Sequence, residues 1–452
     1  MVDLLVKNGF VMTVDERHSQ YRDGCVVVDD GLIIDVGESD RVCREYEAER
    51  VIDARDMAVL PGFVNAHVHT SEKLVPGLAD DLDLYEWGQK VINPMMLNQS
   101  NEDCYWASLL GQVEMIKSGI TCYADLFSSP NKDLLQVLVS TVEKSGMRAV
   151  IARENYNKEA LPDEWRLSVP DEMTENMIEE TTRYVKTQKG QPSRISVRFG
   201  LGGVCYAFPS LISRVRARAT ELGIGIHVHI SESIDEIRFL KRQKNKTPVR
   251  YAYEQGLLGP DVLGAHCIWL DHEEIDILRR TGTKVAYNPV SNMKLADGVA
   301  PVNRMIEKGV TVGLGTDGAA SNDNFDMFAC MKMGSYLQKV HHLNPALLSS
   351  QRILEMATID GARALQMEDR IGSIERGKKA DLMLVSLNAP NIVPVHDLAK
   401  QLVCSGSPEN VDTVIIDGDI VLEGRRFTKL DEARTIKESK VRAEKVVKRM
   451  YS

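Results

Sequence analysis

Apolar residues in this chain come in short runs, and the texture of those runs changes along its length. From residue 1 to about 57 the runs are short and rich in β-branched side chains: Leu4–Lys7, Phe10–Val14, Cys25–Val28 and Leu32–Val36. Asn8-Gly9 and Asp30-Gly31 stand between them. Both pairs tolerate the positive φ of tight turns, so each predicts a hairpin. The texture returns near the C-terminus. Asp381–Val385 reads as a strand, and Val411–Ile416 leads through Asp417-Gly418 into Asp419–Leu422. Two β-rich ends around a long middle predict one small β domain assembled from residues 1–57 and 371–429.

The middle, residues 58–370, alternates. Strand candidates are Phe63–His67, Gly119–Asp125, Arg148–Ala152, Ile195–Phe199, Ile224–His229, Val262–His266, Lys284–Tyr287 and Val310–Gly315. Helical stretches such as Asn101–Ser118, Ser210–Leu222 and Asp271–Arg280 lie between most of them. Strand–helix alternation at this spacing implies a parallel sheet, and eight units predict a closed (β/α)8 barrel, an α/β fold. Residues 430–452 read as a charged terminal helix.

Charge and cysteine usage narrow the class. Lys plus Arg is 55 against 65 for Asp plus Glu, a net charge of −10. An acidic chain without a basic cluster argues against nucleic acid or an anionic membrane as partner; the short run Lys241–Lys246 reads as a solvated helix end. Eight scattered cysteines without a Cys-X-X-Cys fit a reducing compartment. The N-terminus lacks a signal-peptide pattern and no apolar run reaches membrane-spanning length. These features predict a cytoplasmic protein acting on a small molecule.

The strand ends carry the chemistry. Pro61-Gly-Phe-Val-Asn-Ala-His67-Val-His69 is an apolar strand ending in His-X-His. Residues i and i+2 of a strand share a face, so the two imidazoles project together as half of a metal site. His229, His266 and Asp317 fall at three other predicted strand ends, where barrel enzymes place their active sites. Three His, one Asp and a bound water suit a catalytic zinc; ferrous iron takes the same ligands. His266 and Asp317 can each serve as ligand or as hydrogen-bond partner of the attacking water. With three His already supplied by two strands, Asp317 is assigned as ligand and proton acceptor, and His266 as the group that orients the nucleophile or polarises the substrate. His227, two residues before His229, reads as structural. Glu232 follows in His229-Ile-Ser-Glu232 and is placed to carry a proton between water, a ring nitrogen and a leaving amine.

Taken together, these segments resemble the amidohydrolase superfamily, specifically its cytosine-deaminase-like aminohydrolases. The resemblance runs nearly end to end and also rests on Ala265-His266-Cys267, Ser291–Leu295, Gly315–Asp323 and Ile371–Leu382. It implies a barrel plus a two-terminus β-sandwich, one metal per subunit, His67, His69, His229 and Asp317 as ligands, and Glu232 and His266 as catalytic groups. The family's habits also imply a homo-oligomer.

Two branches of that family compete for the substrate. Ser291–Leu295 and Thr316–Asn322 resemble S-adenosylhomocysteine and methylthioadenosine deaminases. Those usually carry a purine-contacting His after the fourth strand, where this chain has Gly200–Tyr206, and a ribose-binding Glu where this chain has Tyr85. Leu84–Trp87, Arg194–Val197, Ile353–Arg363 and Val411–Gly418 look more like the atrazine chlorohydrolase and melamine deaminase group. A triazine has no ribose, so the sequence leans to hydrolytic deamination, or dechlorination, of an N-heterocycle such as an s-triazine. The alternative is deamination of S-adenosylhomocysteine, methylthioadenosine or adenosine. Tyr85 and Trp87 are candidates to stack on the ring, and Asn292 to reach the substrate.

Overall fold

The computed structural model describes residues 1–157, 173–188 and 193–452. The first five strands are β1 (Val2–Met12), β2 (Gln20–Asp29), β3 (Leu32–Glu38), β4 (Ala48–Asp53) and β5 (Met57–Pro61). They join a sheet completed by the last four, β14 (Leu382–Ser386), β15 (Val411–Ile416), β16 (Asp419–Glu423) and β17 (Arg426–Phe427). Its order is β17-β16-β15-β14-β5-β1-β2-β3, with β4 paired to β1. The antiparallel β14–β5 pairing is the seam that binds the two termini into one mixed sheet.

The hairpins predicted at Asp30-Gly31 and Asp417-Gly418 connect β2 to β3 and β15 to β16. The hairpin predicted at Asn8-Gly9 does not form. Asn8 does adopt a positive φ of 63°, but β1 runs through it and the register against β2 shifts there. Space explains the outcome. A Cβ on Gly9 would lie 2.8 Å from Val59 and 2.9 Å from Ala54, so the pair lets β1 press against β5 as an irregularity within a strand.

Between the two halves of that sheet run β6 (Phe63–Val68), β7 (Ile120–Phe127), β8 (Arg148–Asn155), β9 (Ile195–Leu201), β10 (Ile226–Ile230), β11 (Val262–His266), β12 (Lys284–Tyr287) and β13 (Val312–Leu314). They pair in sequence order and all parallel. Every residue of β6, β7 and β8 is buried, as expected of strands covered by helices outside and packed side chains within. The seam between last and first strand is closed at the mouth. The Asp317 N–H donates to the His67 carbonyl at 3.0 Å, Thr316 N–H donates to Asn65 Oδ1 at 3.0 Å, and Asn65 Nδ2 donates to Thr316 Oγ1 at 2.7 Å. Asn65, in the middle of an apolar strand, is thus a barrel-closing residue, and it fixes His67 and Asp317 relative to each other.

The terminal helix Glu432–Met450 crosses the helix Asn101–Lys117, burying Thr435, Ser439 and Val446. Asn101–Lys117 starts at a capping box in which Ser100 and Asp103 satisfy each other's backbone N–H groups. Asp103 is buried and pairs with Arg449 of the terminal helix. No helix among the described residues is long and apolar enough to cross a membrane. All eight cysteines are free thiols.

Candidate metal and active site

Four imidazoles converge at the C-terminal mouth of the barrel, and each is aimed by a bond to its far nitrogen. His67 Nδ1 lies 2.9 Å from His227 Nε2, His229 Nδ1 lies 2.8 Å from the Gly202 carbonyl, His266 Nδ1 lies 2.9 Å from Asn292 Oδ1, and His69 Nδ1 contacts the Leu126 carbonyl. Anchoring Nδ1 in this way fixes the ring and leaves Nε2 as the free donor atom, a common support for metal-ligating His. His69 and His229 bring their Nε2 atoms to 3.3 Å from each other. Asp317 Oδ1 lies 3.3 Å from His67 Nε2 and 3.4 Å from His69 Nε2, and Asp317 Oδ2 lies 3.9 Å from His266 Nε2. His67, His69 and His229 form one group of close donor atoms, and His67, His266 and Asp317 another.

This donor set fits a divalent cation. His67 Nε2 is sealed from solvent and makes no hydrogen bond, although it points at the centre of the cluster. His69 Nε2 has been brought within 3.5 Å of both the His229 ring nitrogen and the Asp317 carboxylate at the expense of desolvating all three groups, which a cation bound among them would offset. The surrounding field has the matching sign. Burial lowers the pKa of His67 to about 4, and burial likewise pushes His229 well down. Burial also opposes protonation of His69, but the carboxylates of Glu72, Asp317, Glu154 and Asp125 outweigh it and raise the ring to about 9. Burial resists ionisation of Asp317 as well, yet the imidazoles of His67, His266 and His69 hold its carboxyl far below the usual range.

The backbone around the cluster is strained where it turns side chains inward. His266, Cys267, Ser231 and Asp317 all take positive φ, at 72°, 50°, 53° and 64°. Non-glycine residues rarely hold such angles without a surrounding structure that enforces them, and such residues gather at active sites.

Glu232 sits over the cluster with Oε1 3.4 Å from His266 Nε2. Burial, followed by the nearby Asp317 charge, pushes its pKa well above the ordinary carboxylate value. A carboxyl whose hold on its proton is strengthened beside a metal site is equipped to carry that proton to a substrate nitrogen.

Above this floor opens a cavity of about 1260 Å³. His69, His229, His266, Glu232 and Asp317 line its base, and Tyr85, Trp87, Phe208, Tyr251 and Trp269 its walls. Tyr85 is half exposed and its hydroxyl accepts from Gln89 Nε2 at 2.6 Å; Trp87 donates Nε1–H to the Ala320 carbonyl at 3.2 Å, leaving its ring along the wall. Asn292 is not on the wall. It is buried behind His266 and bonds Nδ1 of that ring.

Two acids beside the cluster escape the sequence reading, and His227, read there as structural, supports a neighbouring ring. His227 orients His67 from the barrel interior; the His-X-His of β10 signalled that both rings share a face, but not which ring would meet the metal cluster. Glu72 is buried against the Ala320 N–H, its pKa raised by burial to about 7. Glu154, one residue before the end of β8, lies beside Gly202 with a carboxyl oxygen 3.6 Å from His229 Nδ1. Neither acid lies in a segment with recognisable spacing, so only the fold brings them in.

Comparison with known proteins agrees with this geometry. A model of the amidohydrolase family matches residues 58–421. Over 453 residues, all of both chains, the sequence is 38% identical to a 5'-deoxyadenosine deaminase of Methanosarcina mazei. It is also 38% identical to a 5-methylthioadenosine/S-adenosylhomocysteine deaminase of Desulforudis audaxviator, over 98% of this chain and 99% of that one. Among solved structures, an adenosine deaminase from Xanthomonas campestris with bound zinc superposes with a TM-score of 0.92 at 28% identity, covering 99% of each chain. The zinc complex of atrazine chlorohydrolase TrzN from Arthrobacter aurescens superposes at 0.89 and 22% identity, over 97% of this chain and 100% of that one, and shows a shared fold.

Proposed function

The chain belongs to the amidohydrolase family as a metal-dependent deaminase that hydrolyses a C–N bond of a heterocycle, and from that premise we propose that its substrate is an adenine nucleoside altered at the 5' position, such as 5'-deoxyadenosine, methylthioadenosine or S-adenosylhomocysteine. The observation that carries this reading is the cavity. A volume of about 1260 Å³ above a small polar floor exceeds the usual range of small-molecule pockets, roughly 300–1,000 Å³. A single triazine ring would leave most of it filled with water; a bicyclic base with a sugar and a 5' substituent uses it. Full-length relatives with nucleoside deaminase names support the same choice. The triazine reading favoured by the segments around Tyr85 and Gly202 is supported by fold likeness at 22% identity, which says nothing about substrate.

His67, His69, His229 and Asp317 would hold the metal, with zinc favoured because imidazole and carboxylate ligands suit it and the superposable neighbours bind it. When bound, a divalent ion lowers the pKa of a coordinated water and polarises the bond under attack. The residues of the chain do the rest. Glu232 gives its proton to the ring nitrogen beside the carbon that bears the amino group, which makes that carbon electrophilic. Water adds its oxygen there while Asp317 takes one of its protons. His266, fixed by Asn292, holds the incoming oxygen in line. Asp317 passes its proton to the amine, ammonia departs, and the remaining hydroxyl proton returns to Glu232 as the ring carbonyl forms. Tyr85 and Trp87 flank the base.

The test is ammonia release by metal-loaded protein from 5'-deoxyadenosine, methylthioadenosine, S-adenosylhomocysteine and adenosine, set against melamine and ammeline, with chloride release from atrazine measured alongside. Turnover of the nucleosides at kcat/KM at least about 100-fold above the triazines is expected, a margin a hydrogen-bonding site reaches readily. Faster turnover of a triazine would refute the assignment.

A further inference from the structure

An unused carboxyl faces the cavity from beyond the seventh barrel strand. Asp297 follows the short helix Pro289–Lys294 and is only 6% exposed, yet it lines the cavity, and its Oδ2 has no hydrogen-bond partner. Its backbone is held on both sides. The Asp297 N–H donates to the Asn292 carbonyl at 2.9 Å, and its carbonyl accepts from Trp269 Nε1 at 2.7 Å. The next residue, Gly298, has φ of 129° and packs where a Cβ would meet the Trp269 ring at 3.1 Å. This is a fixed loop that presents a side chain, and a buried polar atom left without a partner in such a loop calls for a ligand.

Strand order says which part of a substrate meets it. Glu232 follows β10, His266 ends β11, Asp297 follows β12 and Asp317 follows β13. Glu232 and Asp297 therefore stand two strands apart on either side of His266. A flat ring whose reacting carbon lies over the cluster, with the neighbouring ring nitrogen at Glu232, turns its opposite flank to Asp297. In an aminopurine that flank is the imidazole half, and its exposed atom is N7, a hydrogen-bond acceptor. A triazine has no second ring to place there.

Building on the nucleoside reading above, we propose that Asp297 is a specificity-determining residue whose carboxyl group hydrogen-bonds N7 of the aminopurine. The protonation state suits a donor: burial raises the Asp297 pKa to about 8, so the group retains its proton near neutral pH.

The experiment is a cycle of two enzymes and two substrates: wild type and Asp297→Ala, on 5'-deoxyadenosine and on its 7-deaza analogue, in which N7 is a C–H. Removing N7 also changes the reactivity of the ring, but that change is common to both enzymes and cancels in the cycle. Asp297→Ala is expected to lower kcat/KM for 5'-deoxyadenosine about 10- to 100-fold and to alter it less than about threefold for the analogue, with metal content unchanged. Asp297→Asn, which keeps an N–H donor, should recover part of the loss on 5'-deoxyadenosine alone. Equal losses on both substrates would make Asp297 a structural residue and overturn the proposal, as would no loss on either. If the alanine variant does not fold, Asp297→Ser takes its place with the same criteria. Wild-type protein that releases no ammonia from any adenine nucleoside would remove this proposal together with the nucleoside reading; active wild type with additive losses would remove this proposal alone.

Discussion

The two ends of the barrel handle charge in opposite ways. At the N-terminal end of β8, Arg148 is fully buried, and its guanidinium makes paired bonds to Asp381 at 2.8 and 2.9 Å. Asp381 also accepts from the Asp417 N–H at 2.8 Å, and Asp417 in turn meets Lys379 at 3.0 Å and Arg194 at 3.2 Å. Each charge there has a partner, and the network ties the barrel to the strands of the C-terminal half. At the mouth, Glu72, Asp125, Glu154, Glu232 and Asp317 crowd around four imidazoles, and no lysine or arginine is among the candidate ligands or their named anchors. Charges that neutralise one another support a fold. Acids and imidazoles buried together with an excess of carboxylates are desolvated at a cost, and a cation that binds among them stabilises the folded state. The contrast agrees with the division of labour in such barrels, where the bottom face carries stability and the top carries chemistry.

The sharpest break in that contrast comes from Asp317→Asn. The substitution replaces a carboxylate that faces three imidazoles with a neutral amide, so metal binding should fall and kcat/KM should drop at least about 10,000-fold. Metal content by atomic absorption together with steady-state kinetics reads both halves. Retained metal and activity would remove Asp317 from the ligand set.

Glu232→Gln separates metal binding from proton transfer. The amide keeps the shape but has no proton to give, so metal should stay while kcat falls about 100- to 10,000-fold. Activity close to wild type would show that another group carries the proton.

At the opposite end Asp381→Ala should reverse the pattern. It leaves the buried Arg148 guanidinium without its main counter-ion, at a cost of about 3–5 kcal/mol in unfolding free energy. Metal affinity and kcat/KM of the protein that remains folded should stay within about threefold. A loss of metal in parallel with stability would mean that the two ends are coupled and that the contrast is wrong.

Much of this division is legible in the sequence, and the parts that are not share a cause. The eight barrel strands announce themselves because parallel strands buried on both faces must be apolar throughout. His67, His69, His229, His266 and Asp317 stand out because polar groups at the ends of such runs have no packing reason to be there. Asn8-Gly9 misleads because a turn-competent pair also fits a bulge, and only the approach of Val59 and Ala54 decides between them. Asn65, His227, Glu154 and Asp297 look like ordinary polar residues in sequence. Their roles arise from partners between 28 and 251 residues away or from a cavity built by several loops, and no local pattern encodes such a meeting. The substrate wall is harder still. Tyr85 and Gly202 record which contacts are missing, and an absence fits several ligands.

The smallest effect concerns Glu236, one turn beyond Glu232. Its Oε2 accepts from the Glu232 N–H at 2.9 Å, while Oε1 is sealed from solvent without a partner. Burial raises its pKa from 4.5 to about 8. An acid raised by folding holds its proton in the native state at pH values where the unfolded chain has released it. Its contribution to stability is therefore complete below about pH 4.5 and declines as pH rises towards 8, above which the native group must ionise in a poorly solvated site. Glu236→Gln keeps the acceptor for the Glu232 N–H and removes the titration. The variant should match wild type near pH 4.5 and exceed it by roughly 1–3 kcal/mol at pH 8, the full shift being reduced because the side chain is only partly buried. Melting temperatures of the two proteins across this range, taken without metal, decide the matter: curves that stay parallel from pH 4.5 to 8 would show that Glu236 ionises freely and that the uncompensated acidity of the mouth stops short of this helix.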